Sequence, residues 1–391
     1  MTYYRRVGDV PDKRHTQFRR PDGGLYAEEL MGQEGFGSES ALLYHRHLPT
    51  AIVDARAWPE ADQPLRPNHP LLPRHVRAHK VDAGPDADAV TGRHLLFGNA
   101  DVRLSYVAAT ASSPLYRNAT GDEVLYVESG QGRAETIFGS LRLTGGDYLV
   151  VPTSTTYRVV PDAGAPLRLL VTEASGHVGP PRRYLSERGQ FLEHAPYCER
   201  DLLGPTEPLV VDGDDVDVLV RQRQGVTRYT YAHHPFDVVG WDGCQYPYTF
   251  SIHDFEPITG RVHQPPPVHQ TFAGPNFVIC SFVPRLFDYH PQAIPAPYNH
   301  ANVDSDEVLF YVGGNFMSRK GAGIEQGSLT LHPSGFTHGP QPGSVEASIG
   351  KAATDELAVM VDTFRPLDLG PAALEAEDDA YPWTWSGRHL P

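Results

Sequence analysis

An all-β fold, built as two similar antiparallel barrel units in one chain, is the architecture this sequence predicts, and three observations predict it. The 391 residues include 37 glycines and 36 prolines, a density at which long helices fail because proline breaks a helix and glycine weakens it. From residue 96 onward, short β-prone runs alternate with turn signals, as in HLLFGNADVRLSYVAA and DEVLYVESGQGRAETIFGSLRLTGGDYLVVPTSTTYRVVP. One stretch also occurs twice: DEVLYVESGQG, Asp122 to Gly132, resembles DEVLFYVGGNF, Asp306 to Phe316. Each copy is followed by a strand entering a proline turn, GDYLVVPTSTTY ending at Tyr157 and GSLTLHPSGFTH ending at His338. The offsets are 184 at the glutamates and 181 at the turn ends, and duplication of one unit is the economical account.

In chain order, residues 1–95 are rich in Pro, His and Arg and poor in apolar runs. They read as an irregular arm with a few strands, packed on the barrels. Residues 96–230 hold the first unit and a proline-rich connector, GPPRRYLSERGQFLEHAPYCERDLLGPTEPL. Residues 231–391 hold the second unit, with FVICSFVPR, DEVLFYVGG, GSLTLHP and LAVMVDTF, then a tail with room for a short helix and a docked end. Within each unit the order is strand, turn, strand with glutamate, Gly-rich hairpin, strand, proline turn. That is the order of a double-stranded β-helix, the RmlC-like jelly roll of cupins, so the chain reads as a bicupin.

Charge and cysteine content narrow the function classes. With 33 basic and 48 acidic residues the formal charge is −15, which argues against a nucleic-acid or anionic-membrane partner. No apolar run approaches the 18 residues of a membrane span. The N-terminus is basic and polar without an apolar core, unlike a secretory signal. Cys198, Cys244 and Cys280 are odd in number and match no zinc spacing, so isolated thiols in a cytoplasmic protein are expected. No phosphate-binding GxxxxGK[ST] run occurs. Trp241, in GWDGCQYPY, is open between core packing and pocket wall.

The second unit carries the candidate chemistry. It offers His300, Glu307 and His338, two imidazoles and one carboxylate. That donor set, with open positions, suits non-haem Fe(II) and oxygen activation, and a zinc hydrolase uses the same ligand types. Strand alternation puts Glu307, Leu309 and Tyr311 on one face. A carboxylate facing a barrel interior is costly unless paired or metal-bound, which favours Glu307 as a ligand and turns Asp306 outward as an ordinary acid. The first unit keeps Glu123 but has Tyr157 where His338 stands, and no histidine precedes Glu123 in YRNATGDE. That unit is expected to bind no metal and to act as scaffold.

Over nearly its whole length the chain resembles the homogentisate 1,2-dioxygenase family, as a bacterial member shorter than the animal enzymes. GLYAEELMG, Gly24 to Gly32, is similar to the family's N-terminal LYAEQLSG. PAPYNHANVDSDE is similar to its PYYH…SE iron segment, and THGP to its closing histidine turn. The resemblance implies Fe(II) held by His300, Glu307 and His338. It places His263, in GRVHQPPPVHQ, at the active-site base, with His269 a rival. It gives His332 a substrate contact outside the ligand shell. It also implies ring cleavage of homogentisate by O2 to maleylacetoacetate in tyrosine and phenylalanine breakdown, and assembly into trimers or hexamers. Two departures stand out. Glu307 follows His300 by seven residues where the family has six. Gly313 and Phe316 occupy positions where the animal enzymes hold substrate with arginine and tyrosine, leaving Arg319 and Lys320 as the nearby cations. Alternatives are a dioxygenase for gentisate or another hydroquinone acid, a non-oxidative metal-dependent bicupin, and a bicupin without chemistry.

Overall fold

A computed structural model of the chain describes residues 3–60, 63–81, 84–264, 266–316, 319 and 322–386. It is a β protein in which the only α-helices among the described residues are the five-residue Ser344–Ser348 and Pro371–Glu375, as the glycine and proline content requires. No described helix is long and apolar enough to cross a membrane. The three cysteines are free.

The first unit is a jelly roll of two seven-stranded sheets. One runs Tyr248–Ser251, Asp147–Val151, Glu123–Ser129, Leu167–Ala174, Val102–Ala109, His94–Gly98, Asp368–Leu369. The other runs Gly139–Thr144, Gln131–Thr136, Tyr157–Pro161, Leu115–Asn118, Asp214–Gln222, Gly225–His233, Ile52–Trp58. Alternation sorts their side chains. Leu125, Val127, Leu149, Leu169 and Val171 fill the space between the sheets with Ala134, Leu141 and Val159. Val124, Tyr126, Tyr148 and Leu170 point the other way, into a larger cluster shared with the second unit.

The second unit has one full sheet, in the order Gln270–Gly274, Phe277–Phe282, Leu357–Thr363, Asp306–Gly313, Leu329–His332, Arg74–Val76. Its outer face packs on the first unit: Phe310 meets Tyr106 and Tyr126 edge-on at centroid distances of 6.2 and 6.3 Å, and Tyr148 Oη lies 2.8 Å from Ser281 Oγ. Its inner face carries Glu307, Leu309 and Tyr311, the set that alternation indicates. Opposite this face, among the described residues, there is only the short pair Arg285–Leu286 with Ala353–Thr354 and an isolated bridge between His300 and His338. The second barrel is therefore open and loop-walled on that side.

Three details differ from the sequence reading. Asp306 does not face solvent. Because both faces of its sheet are covered, it is 3% exposed, and its two oxygens accept the backbone N–H groups of Ser334 and Leu367 at 2.8 Å each. Asp122 does the same in the first unit, for Thr153 and Val178. The strands at 238–251, assigned to the second unit by sequence, lie elsewhere. Val238–Gly243 joins Arg5–Gly8, Ser40–His45 and Ala27–Gly32 in a four-stranded sheet, and Tyr248–Ser251 edges the first unit. The arm is also less separate than its composition suggests, since Ile52–Trp58 and Arg74–Val76 extend one sheet of each unit. Trp241 is fully buried and donates from Nε1 to the Phe138 carbonyl at 2.7 Å, so it is core and not pocket wall.

Candidate metal centre

Three donors converge at the open side of the second barrel. Glu307 is the second residue of the strand Asp306–Gly313, facing inward, while His300 and His338 come from the two loops facing it. The loops are clamped together by a pair of backbone hydrogen bonds between the two histidines, 2.8 and 2.9 Å long. One ligand atom from each of His300, Glu307 and His338 lies within 4.8 Å of the others. His300 Nε2 stands 3.6 Å from Glu307 Oε2, and His338 Nε2 stands 3.3 Å from Glu307 Oε1.

The tautomers are set by the backbone. His300 Nδ1–H donates to the Tyr298 carbonyl at 3.2 Å and His338 Nδ1–H to the Phe336 carbonyl at 3.3 Å. Both rings thus turn Nε2 toward the carboxylate, the nitrogen through which each would bind a metal. His338 Nε2 is buried and lacks a hydrogen-bond partner, and such an atom is costly without one. An ion between the three groups satisfies it, so the residues fit a divalent metal.

Glu307 is steadied from behind. His332, its cross-strand neighbour, lies 2.9 Å from Glu307 Oε1 through Nδ1, and its Nε2 lies 2.8 Å from Tyr381 Oη. Burial drives the His332 imidazole down to about 3, so it is neutral. Burial also raises the Tyr381 phenol, so Tyr381 stays protonated. The tyrosine therefore donates to Nε2, and Nδ1–H donates to the carboxylate. Burial alone would raise the Glu307 carboxyl, but the imidazoles of His300, His332 and His338 gathered around it hold it well below the usual range. The hydrogen bond to Glu307 in turn raises the His300 imidazole.

A cavity of about 180 Å³ opens beside these groups, lined by His300, Glu307, Arg319, Phe282, Leu309 and Met360 among others. His263 and His269 both line it. His263 is exposed, with Nδ1 3.6 Å from Asp288 Oδ2. His269 is 8% exposed, its ring tilted on Phe282 at 4.5 Å. Burial, with the charge of Arg285 second, pushes its imidazole down to about 3. Arg319 is buried, and burial opposes its charge, yet the guanidinium stays protonated. Its Nε donates to Tyr311 Oη at 3.1 Å and Nη1 to the Gly339 carbonyl.

Of the remaining sequence candidates, His332 and Phe316 do not line the cavity. His332 is fully buried with both nitrogens engaged, so it holds Glu307. Phe316 packs edge-on against Tyr311 at 5.0 Å. Lys320 lies outside the described residues. Sequence reasoning missed Tyr381 and Asp362. Tyr381 sits in the tail's 3-10 turn Tyr381–Ser386. Asp362 is the cross-strand neighbour of Glu307 on its other side, and burial followed by the Glu307 charge pushes its carboxyl up to about 8.

The first unit shows what replaces a metal. Arg93 Nη1 donates to Glu123 Oε1 at 2.6 Å and lies 3.2 Å from Glu173 Oε1. Arg93 Nη2 donates to Tyr157 Oη at 3.0 Å, and Tyr157 O–H donates to Glu123 Oε2 at 2.7 Å. All four residues are buried. A guanidinium therefore neutralises the glutamate that matches Glu307.

Comparison with known proteins identifies the family. Residues 7–252 match the family model described as homogentisate 1,2-dioxygenase N-terminal. A protein of Saccharolobus solfataricus named "Putative dioxygenase" is 39% identical over 389 residues, covering 98% of this chain and 99% of its own. The homogentisate 1,2-dioxygenase of Emericella nidulans is 24% identical over 85% of this chain and 79% of its own. That of Bradyrhizobium diazoefficiens is 26% identical over 70% and 62%. Identity is thus higher to an archaeal relative than to this bacterial one, against the bacterial source expected. On the family match and the near full-length identity, this chain belongs to the homogentisate 1,2-dioxygenase family.

Proposed function

We propose that this protein is an Fe(II)-dependent dioxygenase that opens the ring of homogentisate to maleylacetoacetate. The observation that carries the reading is the convergence of His300, Glu307 and His338 at a cavity with apolar walls and a buried cation, in a chain of this family. Fe(II) held by those three residues would supply oxygen activation at its open positions.

The chain's own residues divide the remaining work. Phe282, Leu309 and Met360 offer an apolar surface for an aromatic ring and keep water from it. Arg319 supplies positive charge for the substrate's carboxylate. His263, at the exposed side of the cavity with Nδ1 3.6 Å from Asp288 Oδ2, is the candidate to take a hydroxyl proton. His269, neutral down to about pH 3, suits hydrogen bonding and not proton uptake. Self-assembly of the kind the family resemblance implies belongs to the same proposal.

A second reading, gentisate or another hydroquinone acid, follows from the family resemblance, on which Gly313 and Phe316 stand where the animal enzymes use arginine and tyrosine; Phe316 packs on Tyr311. Mass spectrometry of products from Fe(II)-loaded protein decides between them. The proposal expects homogentisate to gain two oxygen atoms as the open-chain acid. Conversion of gentisate alone moves the assignment to the second reading, and conversion of neither contradicts both.

A further inference from the structure

The two units place the same pair of acids side by side, but only one pair is neutralised. In the first unit Glu123 is the cross-strand partner of Glu173, and in the second Glu307 is the cross-strand partner of Asp362. Partners in an antiparallel ladder point to the same face, so both pairs face a barrel interior. Arg93 bridges the first pair, at 2.6 and 3.2 Å, and also reaches Tyr157. The groups matching this cation's three contacts in the second unit are Glu307, Asp362 and His338. Glu307 and His338 are two of the three candidate ligands. Asp362 lies outside the group of atoms within 4.8 Å. Among the described residues it has no ion-pair partner, and its Oδ1 is buried without a hydrogen bond.

We infer that Asp362 is a positioning residue of the metal centre. Its carboxylate stands outside the ligand shell, balances the charge of a divalent ion held by His300, Glu307 and His338, and so raises the affinity for that ion. The inference rests on the reading of those three residues as a metal site. Two neutral imidazoles and one carboxylate leave a divalent ion with one net positive charge in a buried place, and a second acid beside Glu307 offsets it.

Cobalt(II) titration of metal-free protein, followed by its visible absorption, tests this with the wild type, Asp362→Asn and Asp362→Glu. Melting of the metal-free forms is the folding control. The expected result is an affinity about 10–100-fold lower for Asp362→Asn, the range seen when groups supporting metal ligands are lost, with most of it restored by Asp362→Glu. Melting of metal-free Asp362→Asn should be equal to or above wild type, because one of two adjacent acids is gone. Wild-type affinity and spectrum in Asp362→Asn overturn the role of Asp362 alone. Failure of the wild type to bind cobalt overturns the metal site itself, and this inference with it. If Asp362→Asn does not fold, Asp362→Ser takes its place, and wild-type affinity and spectrum in Asp362→Ser overturn the role of Asp362.

Discussion

His300 and His338 exchange two backbone hydrogen bonds, 2.8 and 2.9 Å long, across 38 residues of chain. This bridge holds the two imidazoles 4.3 Å apart, centroid to centroid. On the side of the barrel that lacks a full sheet, it does the work that strand pairing does elsewhere. The ligand set is therefore largely preorganised, and its support can be tested piece by piece.

The contact behind Glu307 is the first such piece. Tyr381→Phe removes the donor to His332 Nε2, freeing the ring to change tautomer and loosening its hold on Glu307. The expected outcome is a loss of about tenfold in metal affinity with little change in fold, since the ring itself stays packed. Isothermal titration with a divalent ion checks this, and unchanged affinity would mean that Glu307 is held by the strand alone.

In the first unit the guanidinium of Arg93 carries the load. Arg93→Met leaves Glu123 buried without a cation, and Glu173 with only Arg221 at 3.7 Å, and should cost about 3–5 kcal/mol, measured by denaturant unfolding. Metal stoichiometry of the wild type should be one ion per chain, because Arg93 already fills the first unit's acid site. Two ions per chain, by elemental analysis, would contradict this.

The arm supplies a pH prediction. His45 is 2% exposed and lies between Asp237 Oδ1 at 2.6 Å and Glu29 Oε2 at 3.0 Å. Burial opposes its charge, but the two carboxylates raise the imidazole to about 9, and both carboxyls are held below their usual range by it despite their own burial. A raised imidazole stabilises the fold fully below its unfolded value near 6.5 and loses that contribution as pH climbs through about 9. The lowered carboxyls contribute above their unfolded range and lose it as pH falls. The wild type should therefore lose on the order of 3 kcal/mol between pH 6.5 and 9.5 from this cluster, and His45→Gln should remove that slope. Parallel melting curves against pH for the two proteins would contradict the cluster's role.

How much of this was legible follows from which signals are local. Glu307 was legible because alternation along DEVLFYV is a local property, and His300 and His338 because their types match a ligand set and their places match a repeat. Asp362 was hidden in LAVMVDTF, where one acid in an apolar run gains meaning only when that strand lies beside Glu307. Arg93 stands 30 residues before its partner Glu123 with no pattern linking them. Tyr381 reaches His332 only because the tail folds back over the barrel. Asp306 was misjudged for the complementary reason: alternation correctly turned it away from the barrel interior, but the sequence does not show that the outer face is also covered. The same limit applies to Val238–Gly243, whose partners lie more than 190 residues earlier in the chain.

The most direct test of the central claim is oxygen consumption by anaerobically Fe(II)-loaded protein given homogentisate, beside His300→Ala, Glu307→Ala and His338→Ala prepared in the same way. The account expects rapid uptake, one O2 per substrate, falling by at least about 100-fold in each variant together with bound iron. Uptake that survives all three substitutions, or an iron-loaded wild type that consumes no oxygen with any hydroquinone acid, would contradict it.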